Sequence, residues 1–343
     1  MAITWRSPSN IALVKYWGKH GVQLPRNPSV SFTLSSSYSQ TSLAYQEKED
    51  NGQISTEFVF EDKPNAAFKQ KIDTFLESIL EHFPFLTKYH LHISSFNSFP
   101  HSAGIASSAS SMSALALCLC SMEREISITL PSEDLFYKKA SYISRLGSGS
   151  ACRSVYPKLC AWGAFDGIEH ASDEYGVDCS HMVDPIFHTF HDDIMIISKQ
   201  EKSVSSRAGH ALMEGNPFAD IRYQQANSNL STLMTAMKEG DLSTFGQIVE
   251  QEALQLHALM MTSNPSYILM EANSVEMIKR IRTWREKTNL PLYFSLDAGP
   301  NLHLLYPDQN AKEIQAFIES SLLELCQDGK MIADKVGEGP IKL

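Results

Sequence analysis

The sequence predicts an α+β protein of two domains. Its first half alternates five candidate strands, rich in β-branched and aromatic residues, with segments of helical spacing. Its second half places one apolar strand before a run of helices and adds two more strands late in the chain. Residues 168–190 between these halves are polar and contain histidines, which indicates a junction. We therefore expect domains at 1–185 and 186–343.

The composition excludes several classes of protein. The chain has 343 residues, 43% hydrophobic and 20% charged, which is typical of a soluble globular protein with a large core. No apolar stretch reaches the roughly 20 residues that span a bilayer, and the N-terminus lacks the pattern of a signal peptide. Six cysteines without a CxxC pair predict reduced thiols and a cytoplasmic location. The net charge of −10 argues against a nucleic-acid partner.

Each element is predicted from its local pattern. Phe68, Ile72 and Phe75 share one face of a helix over 66–83. Residues 107–121 are small or apolar all round, which predicts a buried helix, and Ser132 is placed to cap a helix over 132–145. The remaining helices are expected between 207 and 287 and over 313–326. Strands are predicted at 10–16, 29–36, 39–46, 54–61, 89–96, 193–199, 292–296 and 302–306.

The stretch FPHSAGIASSASSMSALALCLC (99–120) predicts a phosphate site. Gly104 permits a tight turn, and Ser107, Ser108 and Ser110 open the buried helix. The first N–H groups of a helix have no helical partner, and the helix dipole favours an anion there. The lysine of a Walker A loop is absent. The alternative is a serine-capped core helix without a ligand.

A second stretch, RLGSGSACRSVYP (145–157), also predicts an anion site and includes positive charge. Gly147 and Gly149 give the backbone conformational freedom, while Ser148 and Ser150 supply hydroxyl groups. Arg153 can grip a carboxylate or a phosphate with two N–H groups. The alternative is a surface turn with a solvated arginine.

Two further segments carry cations. In SPSNIALVKYWGKHG (7–21), an extended backbone would point Lys15 and Lys19 to the same side, where they would repel unless a polyanion lay between them. The alternative is an edge strand whose lysines extend into solvent. In VSSRAGH (204–210), Ser206 and Arg207 at the start of a helix offer another anion contact.

Two acidic segments remain. Asp297 of SLDAGPNLH is held in a turn between two apolar strands, where it either caps nearby N–H groups or does chemistry. His188, His191, Asp192 and Asp193 resemble a metal patch but lack a further ligand pair at a recognisable spacing. We expect those four residues to form a solvated loop.

The order of these motifs along the chain resembles one family. KYWGK, FPHSAGIASSAS, GSGSACRS, SSRAG and DAGPN follow one another as in the diphosphomevalonate decarboxylases, a branch of the GHMP kinase superfamily. The resemblance implies a ribosomal-protein-S5-like N-terminal domain and a ferredoxin-like C-terminal domain, with the active site in the cleft between them. It also implies a homodimer.

The resemblance further implies ATP-dependent decarboxylation of mevalonate 5-diphosphate to isopentenyl diphosphate, with Mg²⁺ as cofactor. By position, Asp297 would orient or deprotonate the C3 hydroxyl, Arg153 would hold the carboxylate, and Lys15 would lie near the reacting oxygen. The same resemblance assigns the remaining substrate contacts to Tyr16, Trp17, Lys19, Ser148, Ser150, Ser206 and Arg207, and the ATP side to Asn10, Gly104, Ser107, Ser108 and Ser110. It assigns no metal ligand.

The chain also departs from the family pattern. Arg26 and Pro28 replace residues that are usually apolar or hydroxylated, in a segment that is about two residues short. These changes leave open a decarboxylase acting on the monophosphate. A mevalonate 3-kinase and a catalytically silent metabolite-binding relative are two further candidates.

Overall fold

The structure, a computed structural model, describes residues 2–99, 107–127, 130–200 and 204–343. Two sheets and one short hairpin contain the strands. None of the helices in the described ranges combines the length and apolar character needed to cross a bilayer. The strands are β1 (Ile3–Val14), β2 (Lys19–His20), β3 (Leu24–Pro25), β4 (Ser29–Glu47), β5 (Ser55–Phe60), β6 (Lys63–Pro64), β7 (Tyr89–Asn97), β8 (Leu159–Trp162), β9 (Gly176–Asp178), β10 (Phe190–Met195), β11 (Tyr293–Leu296), β12 (Leu302–Pro307), β13 (Met331–Ile332) and β14 (Ile341–Lys342).

The first sheet has eight strands in the order β14-β1-β4-β7-β5-β6, with β8 and β9 branching from β4. The strand β4 is 19 residues long and pairs antiparallel with β1 along most of its length. Its first part pairs with β8 and its second part with β7, so the sheet divides at β4. Only β5 and β7 pair in parallel within the described part of this sheet.

The helices lie against these sheets and between them. The helix α2 packs on β1 and β4, and it also contacts α3. Nearly every side chain in its middle is buried, as its composition predicts. The helices are α1 (Ala66–Ser78), α2 (Ser107–Ser127), α3 (Glu133–Gly147), α4 (Ser206–Ala211), α5 (Ala219–Glu239), α6 (Leu242–Met261), α7 (Ala272–Thr288) and α8 (Ala311–Phe317).

The second sheet has the antiparallel order β11-β12-β10-β13. One of its faces packs with α7 and α8 in a cluster that includes Ile281, Phe294 and Ile314. A separate cluster joins the two halves of the chain, because Phe32 of β4 contacts the rings of Phe190 and Phe245. The two halves therefore share an apolar contact beside the end of β1, which fixes how their loops face each other.

Most predicted elements are present with shifted ends. Ser132 caps α3 by accepting a hydrogen bond from the N–H of Leu135, as predicted. The prediction of two strands at 29–36 and 39–46 is wrong, since β4 runs through both. The predicted solvated loop around Asp192 and Asp193 is also wrong, because both carboxylates lie in β10 and are buried.

Candidate active site

A cleft of about 660 Å³ lies where the two halves meet. Five cationic side chains line it against a single carboxylate among the described residues. Such an excess on a chain with a net charge of −10 indicates a strongly anionic ligand. The predicted site residues that line this cleft are Asn10, Lys15, Tyr16, Trp17, Lys19, Ser108, Ser148, Ser150, Arg153, Ser206, Arg207 and Asp297.

An ion pair lies at the base of this cleft. The Nζ of Lys15 is 2.9 Å from Oδ1 of Asp297, and only 1% of the lysine side chain is exposed against 27% of the aspartate. His257 of α6 lies with Nε2 3.1 Å from the backbone oxygen of Asp297 and holds the DAGPN turn. The carboxylate is thus fixed against a cation in the lining of the cleft.

Buried charges fix the backbone of Lys15. Its N–H donates to Oε2 of Glu252 at 2.8 Å, and its carbonyl accepts from Arg222 at 3.3 Å. Arg222 of α5 and Glu252 of α6 form a bidentate ion pair that is 3% and 0% exposed. Asn27 also donates to the Lys15 carbonyl, at 3.0 Å. Three side chains therefore hold the backbone of Lys15, which follows β1 directly and whose side chain faces Asp297.

Arg153 is held by neutral oxygens. Its Nε and Nη2 both donate to Oδ1 of Asn10, at 3.4 and 3.2 Å, and Nη1 donates to Oγ of Ser29 at 2.5 Å. These bonds use three of its five N–H groups, which leaves one on each terminal nitrogen for a carboxylate. The short helical turn at Gly149–Val155 presents this guanidinium, which is 2% exposed. Asn10 thus lies beside Arg153, and its assignment to the ATP side stays a prediction.

Three rings form one wall of the cleft. The imidazole of His210 lies 4.4 Å from the ring of Tyr16 and 4.5 Å from that of Trp17, centroid to centroid. Nδ1 of His210 accepts the N–H of Gly18 at 3.0 Å, so the ring is neutral with its proton on Nε2. Burial, and then the charge of Lys19, lower the pKa of His210 to about 3. Gly18 has φ of +95°, and a Cβ there would overlap the Tyr223 hydroxyl, so this turn requires glycine.

The hydroxyl of Tyr16 is a further unsatisfied group in this wall. It is buried and has no hydrogen-bond partner among the described residues. Burial raises the pKa of Tyr16, so the phenol is a neutral donor at physiological pH. A buried donor without an acceptor is costly, and because Tyr16 lines the cleft, a ligand oxygen there would satisfy its hydroxyl.

Two cations that line the cleft, Lys19 and Arg207, are near enough for their charges to interact. Burial, and then the charge of Arg207, lower the pKa of the half-buried Lys19. Lys19 also donates to the side chain of Gln23 at 3.1 Å. Ser205 caps α4, so Ser206 and Arg207 occupy its first turn, as predicted from the sequence. Like charges held this close favour an anion between them.

The predicted phosphate turn is only partly described. Ser108 of α2 lines the cleft, with its Oγ 3.3 Å from Oγ of Ser148. Ser107 begins α2 but is not among the lining residues. Ser110 is buried and its Oγ lies 2.7 Å from that of Ser39 in β4, so it faces the sheet and not the cleft. Gly104 lies outside the described residues.

Sequence reasoning missed several residues of this site. His210 lies three residues after Arg207, and its position one helical turn after Ser206 is the signal that could have found it. Lys71 of α1 also lines the cleft, but nothing in the pattern of that helix sets it apart from the other polar residues. Arg222 and Glu252 have no motif around them, since their role depends on packing between α5 and α6.

A larger surface cleft of about 940 Å³ lies near α6 and α7, away from these residues. Its two arginines are balanced by two glutamates, because Glu286 also lines this cleft and Glu250 contacts both Arg282 and Arg285. No predicted site residue lines it in the described ranges. The smaller, positively charged cleft is therefore the candidate active site.

Comparison with known proteins agrees with this geometry. Residues 7–173 match the family model of the diphosphomevalonate decarboxylase-like N-terminal domain, and residues 193–341 match that of the mevalonate 5-diphosphate decarboxylase C-terminal domain. A diphosphomevalonate decarboxylase from Ganoderma lucidum is 31% identical over 92% of this chain and 80% of its own length.

Solved structures give the same result. The mevalonate diphosphate decarboxylase from Staphylococcus aureus superposes with a TM-score of 0.83 and 26% identity, covering 100% of this chain and 98% of its own. A structure described as MDDEF in complex with MVAPP, AMPPCP and magnesium superposes with a TM-score of 0.84 and 26% identity, covering 100% and 99%. The predicted two-domain α+β fold of the GHMP kinase type is confirmed. The chain belongs to the diphosphomevalonate decarboxylase family.

Proposed function

We propose that this chain catalyses the ATP-dependent decarboxylation of mevalonate 5-diphosphate to isopentenyl diphosphate, ADP, phosphate and CO₂. The observation that carries this proposal is a single cleft lined by the Lys15–Asp297 ion pair, by Arg153 and by three further cations. Relatives with 80% or more of their length matched are named for this activity, which supports it.

The first step is phosphorylation of a tertiary alcohol. The C3 hydroxyl of the substrate must lose its proton while its oxygen attacks the γ-phosphorus of ATP and ADP leaves. Asp297 is the carboxylate placed to orient that hydroxyl and to accept its proton. Lys15, 2.9 Å from Asp297, supplies positive charge to the developing oxyanion and to the transferring phosphoryl group.

The second step is loss of phosphate and CO₂. When the C3–O bond breaks, positive charge develops at C3, and the bond between the carboxyl carbon and C2 then supplies the electrons of the new double bond. Arg153 is the group placed to hold the carboxylate, through the N–H groups that Asn10 and Ser29 leave free. It keeps the reacting carbons aligned until phosphate leaves.

The anionic end of the substrate is proposed to lie between Lys19 and Arg207. Their mutual repulsion and the hydroxyl groups of Ser148, Ser150 and Ser206 suit a diphosphate. The Tyr16 hydroxyl, which has no partner among the described residues, suits it as well. Arg26 and Pro28, which depart from the family pattern, are not among the described residues that line the cleft. This placement favours the diphosphate over the monophosphate.

ATP is proposed to bind with its phosphates at the start of α2. Ser108 and the first free N–H groups of this 21-residue helix support that placement. Mg²⁺ fits this site as an ion carried mainly by ATP oxygens, because Asp297 is the only carboxylate among the described lining residues and it is already paired with Lys15. When bound, Mg²⁺ would neutralise phosphate charge, and the hydroxyl of Ser108 would be a protein oxygen able to help hold it.

Release of ADP tests the proposed substrate. The purified chain is given Mg-ATP with mevalonate, its 5-phosphate or its 5-diphosphate in parallel. We expect turnover with the diphosphate at a kcat/KM far above that of the other two. Preference for the monophosphate would assign the cleft to the related decarboxylase, and no turnover with any of them would overturn the proposal.

Three further properties belong to the same proposal. The six cysteines are free and buried, which supports a cytoplasmic location. The proposed domain boundary at residue 185 falls between the two family models, just before β10. A homodimer is proposed from the family resemblance, and sedimentation at several concentrations tests it.

A further inference from the structure

A second cluster of ligand-type side chains lies on the sheet, among residues that do not line the cleft. His90 and His92 are two positions apart on β7, so both side chains point to the same face. The parallel neighbour β5 places Glu57 opposite His92 and Ser55 opposite His90. Among the residues that the structure describes, Glu57, His90 and His92 are the one group of three such side chains whose ligand atoms lie within 4.8 Å of one another.

The contacts within this cluster orient its ligand atoms. Nδ1 of His92 lies 2.9 Å from Oε2 of Glu57, and the two imidazole centroids are 4.5 Å apart. The hydroxyl of Ser55 lies 2.6 Å from Nδ1 of His90. When that hydroxyl accepts the Nδ1 proton, Nε2 of His90 keeps its lone pair for a ligand.

We propose that Glu57, His90 and His92 bind a divalent transition-metal ion of the zinc class. Two imidazoles and one carboxylate form a ligand set suited to Zn²⁺, Ni²⁺ or Cu²⁺, with the remaining positions filled by water. The ion requires ligand distances of about 2.0–2.2 Å, so the partly exposed side chains must close on it by rotation about their χ angles. The strands that carry them are hydrogen-bonded neighbours and need not move.

This site is chemically distinct from any magnesium site in the cleft. Mg²⁺ prefers oxygen ligands and keeps several waters, whereas imidazole nitrogen favours the later transition metals. Residues 55–57 and 90–92 are separated by α1, so an ion at this site would join two strands that are distant in the chain. Binding to the folded state alone raises stability by mass action.

Titration of zinc chloride into the metal-free, tag-free full chain tests the site, with calorimetry as the readout. We expect one saturable site per chain at micromolar zinc and a rise in the unfolding temperature. H90Q and H92Q should abolish this site, whereas S55A should weaken it about tenfold. The matched control is H170Q, which alters an exposed histidine that pairs with its sequence neighbour Glu169.

A second readout separates loss of ligands from misfolding. None of the substituted residues lines the cleft. ADP release with Mg-ATP and mevalonate 5-diphosphate should therefore be unchanged in every variant that folds. The electron paramagnetic resonance spectrum of one equivalent of Cu²⁺ should show two coupled nitrogens in the wild type, and this two-nitrogen signal should be absent from H92Q. No saturable zinc binding in the wild type, or equal binding in active H90Q and H92Q, would overturn the proposal.

Discussion

Lys15 and Asp297 lie 282 positions apart in the chain, yet their side chains meet at 2.9 Å at the base of the cleft. The lysine leaves the end of β1, and the aspartate lies in the turn between β11 and β12. Each residue comes from a different half of the protein. The ion pair therefore forms only when the two halves pack together. A substitution at either of its residues tests the proposed chemistry directly.

The first prediction concerns the carboxylate of Asp297. D297N keeps the size and removes the base, so kcat should fall by about 10²–10⁴ while the KM for ATP changes little. Steady-state ADP release with mevalonate 5-diphosphate measures both. D166N, a change at an exposed aspartate outside the cleft, is the matched control and should behave as wild type. Full turnover in D297N would show that this carboxylate only completes the ion pair.

The second prediction concerns the buried pair that holds Lys15. E252Q leaves Arg222 charged and buried without its anion, which should lower the free energy of unfolding by about 3–5 kcal/mol. Urea unfolding followed by circular dichroism measures the loss. E324Q removes the carboxylate from a pair in which Glu324 is 66% exposed, and its effect on the free energy of unfolding should be far smaller, because solvent screens exposed pairs. Equal losses in the two variants would contradict a special role for the buried pair.

The third prediction concerns the pH dependence of substrate binding. Burial and Arg207 lower the pKa of Lys19, so its ammonium loses its proton at a lower pH than a free lysine does. Affinity for the anionic substrate should therefore decline as pH rises through that lowered pKa. K19R should move this decline to higher pH, because a guanidinium stays protonated. Plots of log kcat/KM against pH for the two proteins give the comparison. If both plots decline at the same alkaline pH, Lys19 is not the group whose deprotonation weakens binding.

The fourth prediction concerns His210 and stability. The folded state holds this imidazole neutral, with its pKa lowered from 6.5 to about 3, while the unfolded chain takes up a proton below about 6.5. Its stabilising contribution is therefore complete above pH 6.5 and is lost as pH falls toward 3, by at most about 1.4 kcal/mol per pH unit.

H210N keeps an acceptor for the Gly18 N–H and removes the titration. The difference in unfolding free energy between wild type and H210N should shrink as pH falls from 7 to 4. Urea unfolding at pH 7, 5.5 and 4 measures it, and the histidine at this position is the only change between the two proteins. A difference that stays constant with pH would mean that His210 titrates normally in the folded state.

The motifs can be predicted from the sequence because each is contiguous. KYWGK and DAGPN each carry their functional side chain within five residues, so Lys15 and Asp297 stand out locally. Glu252 and Arg222 do not stand out in this way, because their ion pair depends on how two helices pack against the end of β1. Residues that act through packing leave no local signal.

The length of β4 shows the same limit. The serine run at 35–37 resembles a break between two strands, yet the strand continues through it. The carboxylate of Asp334 accepts the N–H groups of Ser35, Ser36 and Ser37 at 2.7–2.9 Å, so this polar stretch stays extended. The partner lies almost 300 positions away, beyond any local pattern.

The wrong prediction of a solvated loop at Asp192 and Asp193 has a similar cause. Asp192 lies 2.7 Å from Nδ1 of His303, and Asp193 accepts from the Tyr306 hydroxyl. Burial raises the pKa of Asp193 to about 6. Two adjacent acids normally indicate solvent exposure, but here the neighbouring strand β12 supplies a partner for each.

Stoichiometry in a single experiment tests the central claim most directly. The chain is incubated with Mg-ATP and mevalonate 5-diphosphate labelled at the carboxyl carbon, and ADP, phosphate and trapped CO₂ are counted together. If Asp297 and Arg153 act in one cleft on one substrate, the three products should appear in equal amounts throughout the reaction. ADP without CO₂ would contradict the account, since it would leave a kinase that phosphorylates C3 and stops.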